Sequence, residues 1–428
     1  MRLNGTYDEQ RNTYIAIANM RAKPTTEIAI LLERAKQKAR VKNWLEVNYY
    51  LQQIPVFTTK SGLENTNRET IEQITQLALS GLIQGDFEQK WHIAKIFPLI
   101  KASAIAPLIS IIEAKTIDTE TKWFVARILG NFKEPEVVVA LAKLLQNTRE
   151  ADLIAICAKS LATIGTPAIA VLTELLNKPE YRLVAARSLA HIRLRSVLPT
   201  LLELAKDENP EIRLLTIEAL GSFRDRQIIP VLVEALKDTH SAIRKEAVIA
   251  LGFSANFNAE WDLVSPLQPL LYDLNQDVCR QAAISLGRIG NKSAITALDK
   301  SLQSPNTPLS LKVDLVKALA WSENSLALDC LQKVIHRENI SISKEIIIVL
   351  GRISSFHLQS RAIEILQSFW HSAPSRTIDF ELRKALAMAL GELNAIEARD
   401  ILEQLTQDEH KMVRLYAIAS LKKLKNAE

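Results

Sequence analysis

A leucine that recurs about every 32 residues restricts the fold of this chain more than any other feature. Six of the twelve glycines directly follow such a leucine, at Leu129-Gly130, Leu220-Gly221, Leu251-Gly252, Leu286-Gly287, Leu350-Gly351 and Leu390-Gly391. Alignment on that position adds copies at Phe97, Leu161, Leu189, Leu319 and Leu421, which gives eleven anchor positions. A fixed period in this range is typical of proteins built from stacked repeats.

Each period contains two amphipathic stretches, which predicts a pair of helices. The second stretch has small residues one, three or four positions before the anchor, and Asp or Asn commonly precedes it, where it can cap a helix. Glycine after the anchor suits a left-handed helix end. Eight copies carry a basic residue seven positions before the anchor: Lys90, Lys122, Arg182, Arg213, Arg244, Lys312, Arg383 and Arg414. A hairpin of this size cannot bury its apolar face alone, so the hairpins must stack on one another.

Composition agrees with an all-helical chain. Aromatic residues make up 6%, and the 12 glycines in 428 residues are less than half of the usual ~7%. We therefore predict an all-α fold, a right-handed α-solenoid (superhelix) of about eleven helical hairpins with an N-terminal helical cap. Its parts are a flexible N-terminus (1–23), the cap (24–86) and the repeat solenoid (87–428).

Charge and cysteine content limit the partners and the compartment. The net charge of +5 over 428 residues is weak and neither demands nor excludes nucleic acid, which we do not predict as a partner. The three cysteines are far apart and odd in number, which indicates a reducing compartment rather than a disulfide framework. No secretory signal opens the sequence, and no run approaches ~18 apolar residues, so we expect no membrane span and a cytoplasmic location.

The repeat pattern D-x-x-P-x-[VI]-R-x-x-A-x-x-A-L-G resembles HEAT repeats, and its short period resembles the PBS-lyase HEAT-like subtype. The resemblance covers residues 87–425. Within it, KWHIAKIF (90–97) and KWFVARILG (122–130) are similar to the aromatic-rich repeat of cyanobacterial phycobilisome bilin lyases. The resemblance implies that the second helix of each repeat lines a concave surface. It also implies a phycobiliprotein or a related HEAT subunit as a partner.

Residues that would carry catalysis or hold a metal are hard to find in the sequence. HEAT-like proteins that bind two irons carry repeated His-Glu pairs, whereas none of the seven histidines here is followed by Glu. The sequence also has no CxxC, no HExxH and no glycine-rich phosphate loop. We therefore predict no catalytic residue, no metal site and no resident cofactor, with a bilin as the ligand only if the lyase resemblance extends to function.

One constellation remains as a candidate binding site. At the position two before the anchor, each of the first four copies has a basic residue. One helical turn earlier, the first two copies have tryptophan. This spacing predicts the pairs Trp91–Lys95 and Trp123–Arg127. The predicted site residues are Trp91, His92, Lys95, Trp123, Phe124, Arg127, Lys159 and Arg187. They fit an acidic protein, a carboxylate-bearing tetrapyrrole or a nucleic-acid backbone. Alternatively, the long basic side chains only cover apolar surface between repeats while their charges stay in water.

Two functions remain open at this point. The first is a non-catalytic, protein-binding scaffold or chaperone-like adaptor that uses the concave face, with phycobilisomes as one setting. The second is a bilin lyase or lyase subunit, in which Lys95 and Arg127 would face propionates while Trp91 and Trp123 stack on the rings. A DNA-binding role would need a stronger basic excess.

Overall fold

The computed structural model describes residues 28–54, 68–257, 260–372 and 379–427, and every regular element in these ranges is helical. The all-α prediction is therefore confirmed. The α-helices are α1 (28–40), α2 (Trp44–Gln52), α3 (Arg68–Gln84), α4 (Phe87–Ile93), α5 (Phe97–Ile100), α6 (Ile105–Glu113), α7 (Thr119–Leu129), α8 (Pro135–Asn147), α9 (Ala151–Ile164), α10 (Thr166–Leu175), α11 (Pro179–His191), α12 (Leu198–Leu204), α13 (Pro210–Leu220), α14 (Ile229–Ala235), α15 (Ser241–Phe253), α16 (Val264–Leu267), α17 (Gln276–Ile289), α18 (Lys292–Gln303), α19 (Leu309–Trp321), α20 (Ser325–Val334), α21 (Ile340–Gly351), α22 (Phe356–His371), α23 (Phe380–Glu392), α24 (Arg399–Leu405) and α25 (Lys411–Ala427). Short 3-10 segments cover Lys101–Ala104, Arg195–Val197, Arg226–Ile228, Ala255–Phe257, Gln268–Tyr272 and Ile396–Ala398.

The helices pair into hairpins that stack through their second helices. The chain divides into two compact units, Met1–Leu201 and Leu202–Glu428, here called unit 1 and unit 2. In unit 1, α4, α7, α9 and α11 each contact the next, and in unit 2 α13, α15, α17, α19, α21, α23 and α25 do the same. This nearest-neighbour stacking is that of an α-solenoid, which confirms the predicted fold class. The handedness of the superhelix stays a prediction.

The anchor leucines form the centre of each stack. Nine of them are fully buried within second helices: Leu129, Leu161, Leu189, Leu220, Leu251, Leu286, Leu319, Leu350 and Leu390. Phe97 is equally buried, but it begins α5 instead of lying within the second helix α4, which ends at Ile93. The repeat read from the sequence therefore corresponds to equivalent points of successive hairpins.

The glycine that follows the anchor does not end its helix in a left-handed conformation, and that expectation was wrong. Gly130 and Gly221 have φ of −58° and −59°, in the right-handed helical region. Glycine is needed there because the next hairpin comes very close. A Cβ at Gly351 would lie 2.7 Å from the Cα of Ala389 in the following second helix. Glycine with a small residue opposite therefore lets consecutive second helices approach.

Serine opposite the glycine adds a hydrogen bond across three of these contacts. The buried Ser160 Oγ donates to the Ala126 carbonyl at 2.9 Å, and the Ser285 Oγ donates to the Val248 carbonyl at 2.9 Å. The Ser420 Oγ makes the same bond to the Ala387 carbonyl at 2.7 Å. Each acceptor lies in the second helix of the preceding hairpin, so these bonds join consecutive hairpins.

The recurring basic residue seven positions before the anchor also links hairpins. Arg244 Nε and Nη2 donate to the two Asp273 carboxylate oxygens at 2.8 and 2.7 Å. This hydrogen bonding, working against partial burial, lowers the pKa of Asp273, so the carboxylate remains charged. The corresponding pairs in other copies are Lys90–Glu120, Arg213–Asp238, Lys312–Glu338 and Arg383–Asp408. In two further copies the basic residue lies one position later and forms the pairs Arg280–Asp314 and Lys344–Glu381. These ion pairs between consecutive hairpins explain why a basic residue recurs at this position, without any need for a ligand.

Asp and Asn cap several of the second helices, as predicted. Their side chains accept hydrogen bonds from first-turn N–H groups at Asp118, Asn209, Asn275, Asn339 and Asp379. Such caps satisfy donors that have no partner inside the helix.

The N-terminal region contains the helices expected between residues 24 and 86. They are α1, α2 and α3, and α3 packs against α4 and α5. The predicted flexible segment 1–23 lies outside the described residues. The boundaries of the cap stay predictions.

Candidate functional site

The predicted basic residues lie on the second helices of unit 1. Arg127 is on α7, Lys159 on α9 and Arg187 on α11, whereas Lys95 follows the end of α4 by two residues. All four side chains are exposed. We call these four residues, together with Trp91 and Trp123, the basic strip.

The helices that carry the basic strip are held in register. The α7 and α9 backbones come close at Gly130, where an added Cβ would lie 3.1 Å from the Cα of Ser160. Packed helices are ~8–10 Å apart, so four successive second helices spread their basic side chains over roughly 24–30 Å. This length suits a macromolecular partner.

Arg127 organises the aromatic end of the strip. Its guanidinium carbon lies 3.8 Å from the ring centroid of Trp91, in the preceding hairpin, and 5.8 Å from that of Trp123. The predicted Trp123–Arg127 pair is therefore present, although the closer contact joins two hairpins. Within the described ranges, the cations that lie over aromatic rings are Arg127 and Arg288. The predicted pairing of Lys95 with Trp91 is therefore wrong.

An aromatic cluster supports these indoles from below. Phe124 is completely buried and makes edge contacts with Trp91 and Trp123 at centroid distances of 6.4 and 5.2 Å. Its predicted place on the surface is therefore wrong, because it belongs to the core beneath the strip. His92 is half-buried beside it on α4.

Phe87 is an exposed member of this cluster and is not among the predicted site residues. Its ring lies 6.3 Å from Trp91 in a stacked arrangement and 5.2 Å from Phe124. Phe87 precedes Trp91 by one helical turn, so the i, i+4 spacing that paired the other residues was also the available signal here.

The four helices around the basic strip carry acidic residues only near their N-termini. In α4, α7, α9 and α11 the acidic residues Glu88, Glu120, Asp152 and Glu180 all lie in the first helical turn. The remainder of each helix carries only basic and neutral residues. Lys95, Arg127 and Lys159 have no carboxylate within ion-pair distance in the part of the chain that the structure describes. Their charges therefore remain available to a partner.

The described residues offer little for covalent or metal chemistry. Burial raises the pKa of the Cys157 thiol to about 12, and burial also raises that of Cys330 to about 11, so neither is a thiolate near neutral pH. No group of three or more His, Cys, Asp or Glu side chains in the described ranges is placed to hold a metal ion. None of the described helices combines the length and apolar character needed to cross a bilayer.

Comparisons with known proteins agree with this architecture. A family model described as HEAT repeats matches residues 105–190, 177–252 and 229–310. The chain is similar in fold to one in a structure showing that Kap95p binding induces the switch loops of RanGDP to adopt the GTP-bound conformation. The TM-score is 0.50 and the identity 12%, over 98% of this chain and 63% of that one. This chain therefore spans less than two thirds of the length of that protein.

Two further structures have lower TM-scores but higher sequence identity. An engineered protein from the Northeast Structural Genomics Consortium is 20% identical, with a TM-score of 0.36, over 88% of this chain and 98% of that one. Human deoxyhypusine hydroxylase in complex with glycerol is 18% identical, with a TM-score of 0.27, over 60% of this chain and 96% of that one. No curated protein matches the sequence significantly. The sequence similarity to HEAT repeats therefore covers the central part of the chain.

Proposed function

We propose that this chain is a non-catalytic protein-binding scaffold that holds an acidic partner protein on the basic strip of unit 1. One observation carries the proposal: the exposed Arg127 guanidinium lies over the partly exposed Trp91, on a face whose acidic residues are confined to the first helical turns. Tryptophan and arginine are enriched among residues that dominate binding energy at protein interfaces.

The basic side chains and the indoles contribute differently to binding. The charges of Lys95, Arg127 and Lys159 speed the encounter with an acidic surface and orient it. The Trp91 and Phe87 rings supply apolar area that is already held in place by the buried Phe124, so little side-chain entropy is lost on binding. Lys159 and Arg187 extend the same surface along two further hairpins.

Reversing two charges of the strip should abolish most of this binding. For the variant K95E/R127E we expect at least about a tenfold weaker capture of the partner, because attraction becomes repulsion at the aromatic end of the strip. The measurement compares proteins retained from a photosynthetic-cell extract by immobilised wild-type and variant chains. A purified phycobiliprotein, applied alone, tests the more specific phycobilisome assignment.

The matched control is K115E/R149E, which makes the same charge change at two exposed residues in the loops between first and second helices. It should retain wild-type capture, and both variants should keep wild-type helicity by circular dichroism. Equal capture by K95E/R127E and wild type would remove the basic strip as the binding site.

A tetrapyrrole is the second candidate ligand, and the exposed Trp91 ring beside Arg127 favours it. A planar ring with propionate groups could stack on the indole while its carboxylates face Lys95 and Arg127. This is the bilin lyase role that the resemblance implies, in which the acceptor cysteine belongs to the phycobiliprotein. Enhanced, red-shifted absorption of bilin added to the wild-type chain, absent with K95E/R127E, would distinguish this role from protein binding alone.

A further inference from the structure

A second row of aromatic and basic side chains lies in unit 2, two positions after the anchor in four consecutive copies. Its members are Phe253, Arg288, Trp321 and Arg352, at the ends of α15, α17, α19 and α21. Phe253 and Trp321 are 60% and 63% exposed, and both arginines are exposed as well. We call these four residues the aromatic–arginine row.

Neighbouring members of the row adjoin one another. The Arg288 guanidinium carbon lies 4.2 Å from the Phe253 ring centroid. The segments that follow α17 and α19 are joined by a hydrogen bond from Asn324 Nδ2 to the Gly290 carbonyl at 3.1 Å. Trp321 and Arg352 line one cavity of about 180 Å³. The row therefore consists of two adjoining pairs, Phe253 with Arg288 and Trp321 with Arg352, on four consecutive hairpins.

Neither arginine of the row is neutralised within the described part of the chain. Other basic residues of these helices have carboxylate partners, as Arg280 does with Asp314 at 3.1 Å and Lys317 does with Glu345 at 3.6 Å. Arg288 and Arg352 have none, so two guanidinium groups face solvent beside exposed aromatic rings. An unpaired guanidinium favours a carboxylate, which it can bind through two parallel hydrogen bonds.

An apolar surface accompanies these charges. Ile284 and Ile348, one helical turn before Arg288 and Arg352, are half-buried on the same helical face. Aromatic rings and aliphatic side chains thus alternate with the two positive groups. This combination matches a partner segment that carries both acidic and apolar side chains.

We propose that the aromatic–arginine row binds an extended acidic peptide segment of a partner protein. Adjacent second helices are ~8–10 Å apart and an extended chain advances ~3.3 Å per residue, so Arg288 and Arg352, two hairpins apart, match carboxylates five or six residues apart. An apolar side chain between those carboxylates faces Trp321. This surface is separate from the basic strip, and the inference does not depend on it.

A nucleic acid fits this row less well than a peptide does. Glu323 and Glu345 line the cavity next to Trp321 and Arg352. In the next copy, Glu392 occupies the position that Arg352 holds in its own. These carboxylates would repel a continuous row of phosphates, whereas a peptide can place neutral side chains beside them.

The test selects ligands without assuming a sequence. Random twelve-residue peptides displayed on phage are selected on the immobilised full-length chain, and one enriched peptide is synthesised with a fluorescent label for anisotropy titration. We expect enriched peptides to carry two acidic residues five or six positions apart with an apolar residue between them. The labelled peptide should bind R288E/R352E at least about tenfold more weakly than wild type, because both contacts become repulsive.

Two control variants make the outcome specific. K300E/K333E changes the same charge at exposed residues of the first helices α18 and α20 and should bind the peptide like wild type. K95E/R127E should also bind it like wild type, which separates this row from the basic strip. Selection of peptides without the acidic pattern, or equal affinity of wild type and R288E/R352E, would overturn the proposal.

Discussion

Replacement of Arg383 by alanine is expected to lower the free energy of unfolding by about 3–5 kcal/mol, because it leaves a buried carboxylate without its partner. Arg383 and Asp408 are only 6% and 8% exposed, and the guanidinium Nε and Nη2 lie 2.7 and 3.1 Å from the two carboxylate oxygens. Urea denaturation followed by circular dichroism measures the loss. Hydrogen exchange should show reduced protection in α23 and α25, the two helices nearest the change.

A more exposed ion pair between two other consecutive hairpins supplies the control for this prediction. Arg280 pairs with Asp314 at 3.1 Å but is 50% exposed. Alanine at Arg280 should cost less, about 1 kcal/mol, because the remaining Asp314 carboxylate is 22% exposed and keeps more contact with water than Asp408 does. If R383A and R280A lower the free energy of unfolding equally, burial does not determine how much these ion pairs stabilise the chain.

Alanine at Gly351 is expected to destabilise unit 2 by about 2 kcal/mol, although alanine is the better helix former by about 1 kcal/mol. The added Cβ would lie 2.7 Å from both Cα and Cβ of Ala389, and backbone cannot turn aside as a long side chain can. The two helices must then move apart, which loses packing around the buried Leu350 and Leu390. Thermal and urea unfolding of the full chain measure the effect.

Two further variants show whether the contact itself is responsible. Gly221→Ala meets Ala250 mainly through its Cβ, at 3.0 Å, so we expect a change within about 1 kcal/mol of wild type. Ala389→Gly in the G351A background removes the opposing methyl group and should recover part of the stability. A G351A chain that is as stable as wild type would contradict the role assigned to this glycine.

The repeat could be predicted because it depends on local sequence periodicity. An apolar anchor, small residues around it and, in several copies, a capping Asp or Asn are features that a hairpin carries in its own sequence, and the structure places them at equivalent points. The function of the glycine could not be predicted in this way. Left-handed helix ends and close helix approach both favour glycine, and only the position of Ala389 in the next hairpin decides between them.

The candidate site shows the same limit. Spacing within one helix correctly paired Trp123 with Arg127 but could not reveal that Arg127 lies closer to Trp91 of the preceding hairpin. It also could not separate the buried Phe124 from the exposed Phe87, because both are aromatic residues near a tryptophan. Which side of a helix faces its neighbour depends on how far consecutive hairpins rotate, and periodicity does not encode this rotation.

The serine–carbonyl bonds and glycine contacts between second helices also bear on how such a chain can evolve. Ser160, Ser285 and Ser420 each face a glycine, whereas Val349 follows a copy that has Ala320 at the glycine position. Ser188 has the same position but follows a copy with Ala162 in place of glycine, and it donates to the Val184 carbonyl of its own helix. The bond between hairpins is therefore made where the preceding hairpin has glycine after its anchor. A duplicated or exchanged hairpin keeps this bond only next to a neighbour with the matching residue, so the contacts between second helices restrict which hairpins can follow one another.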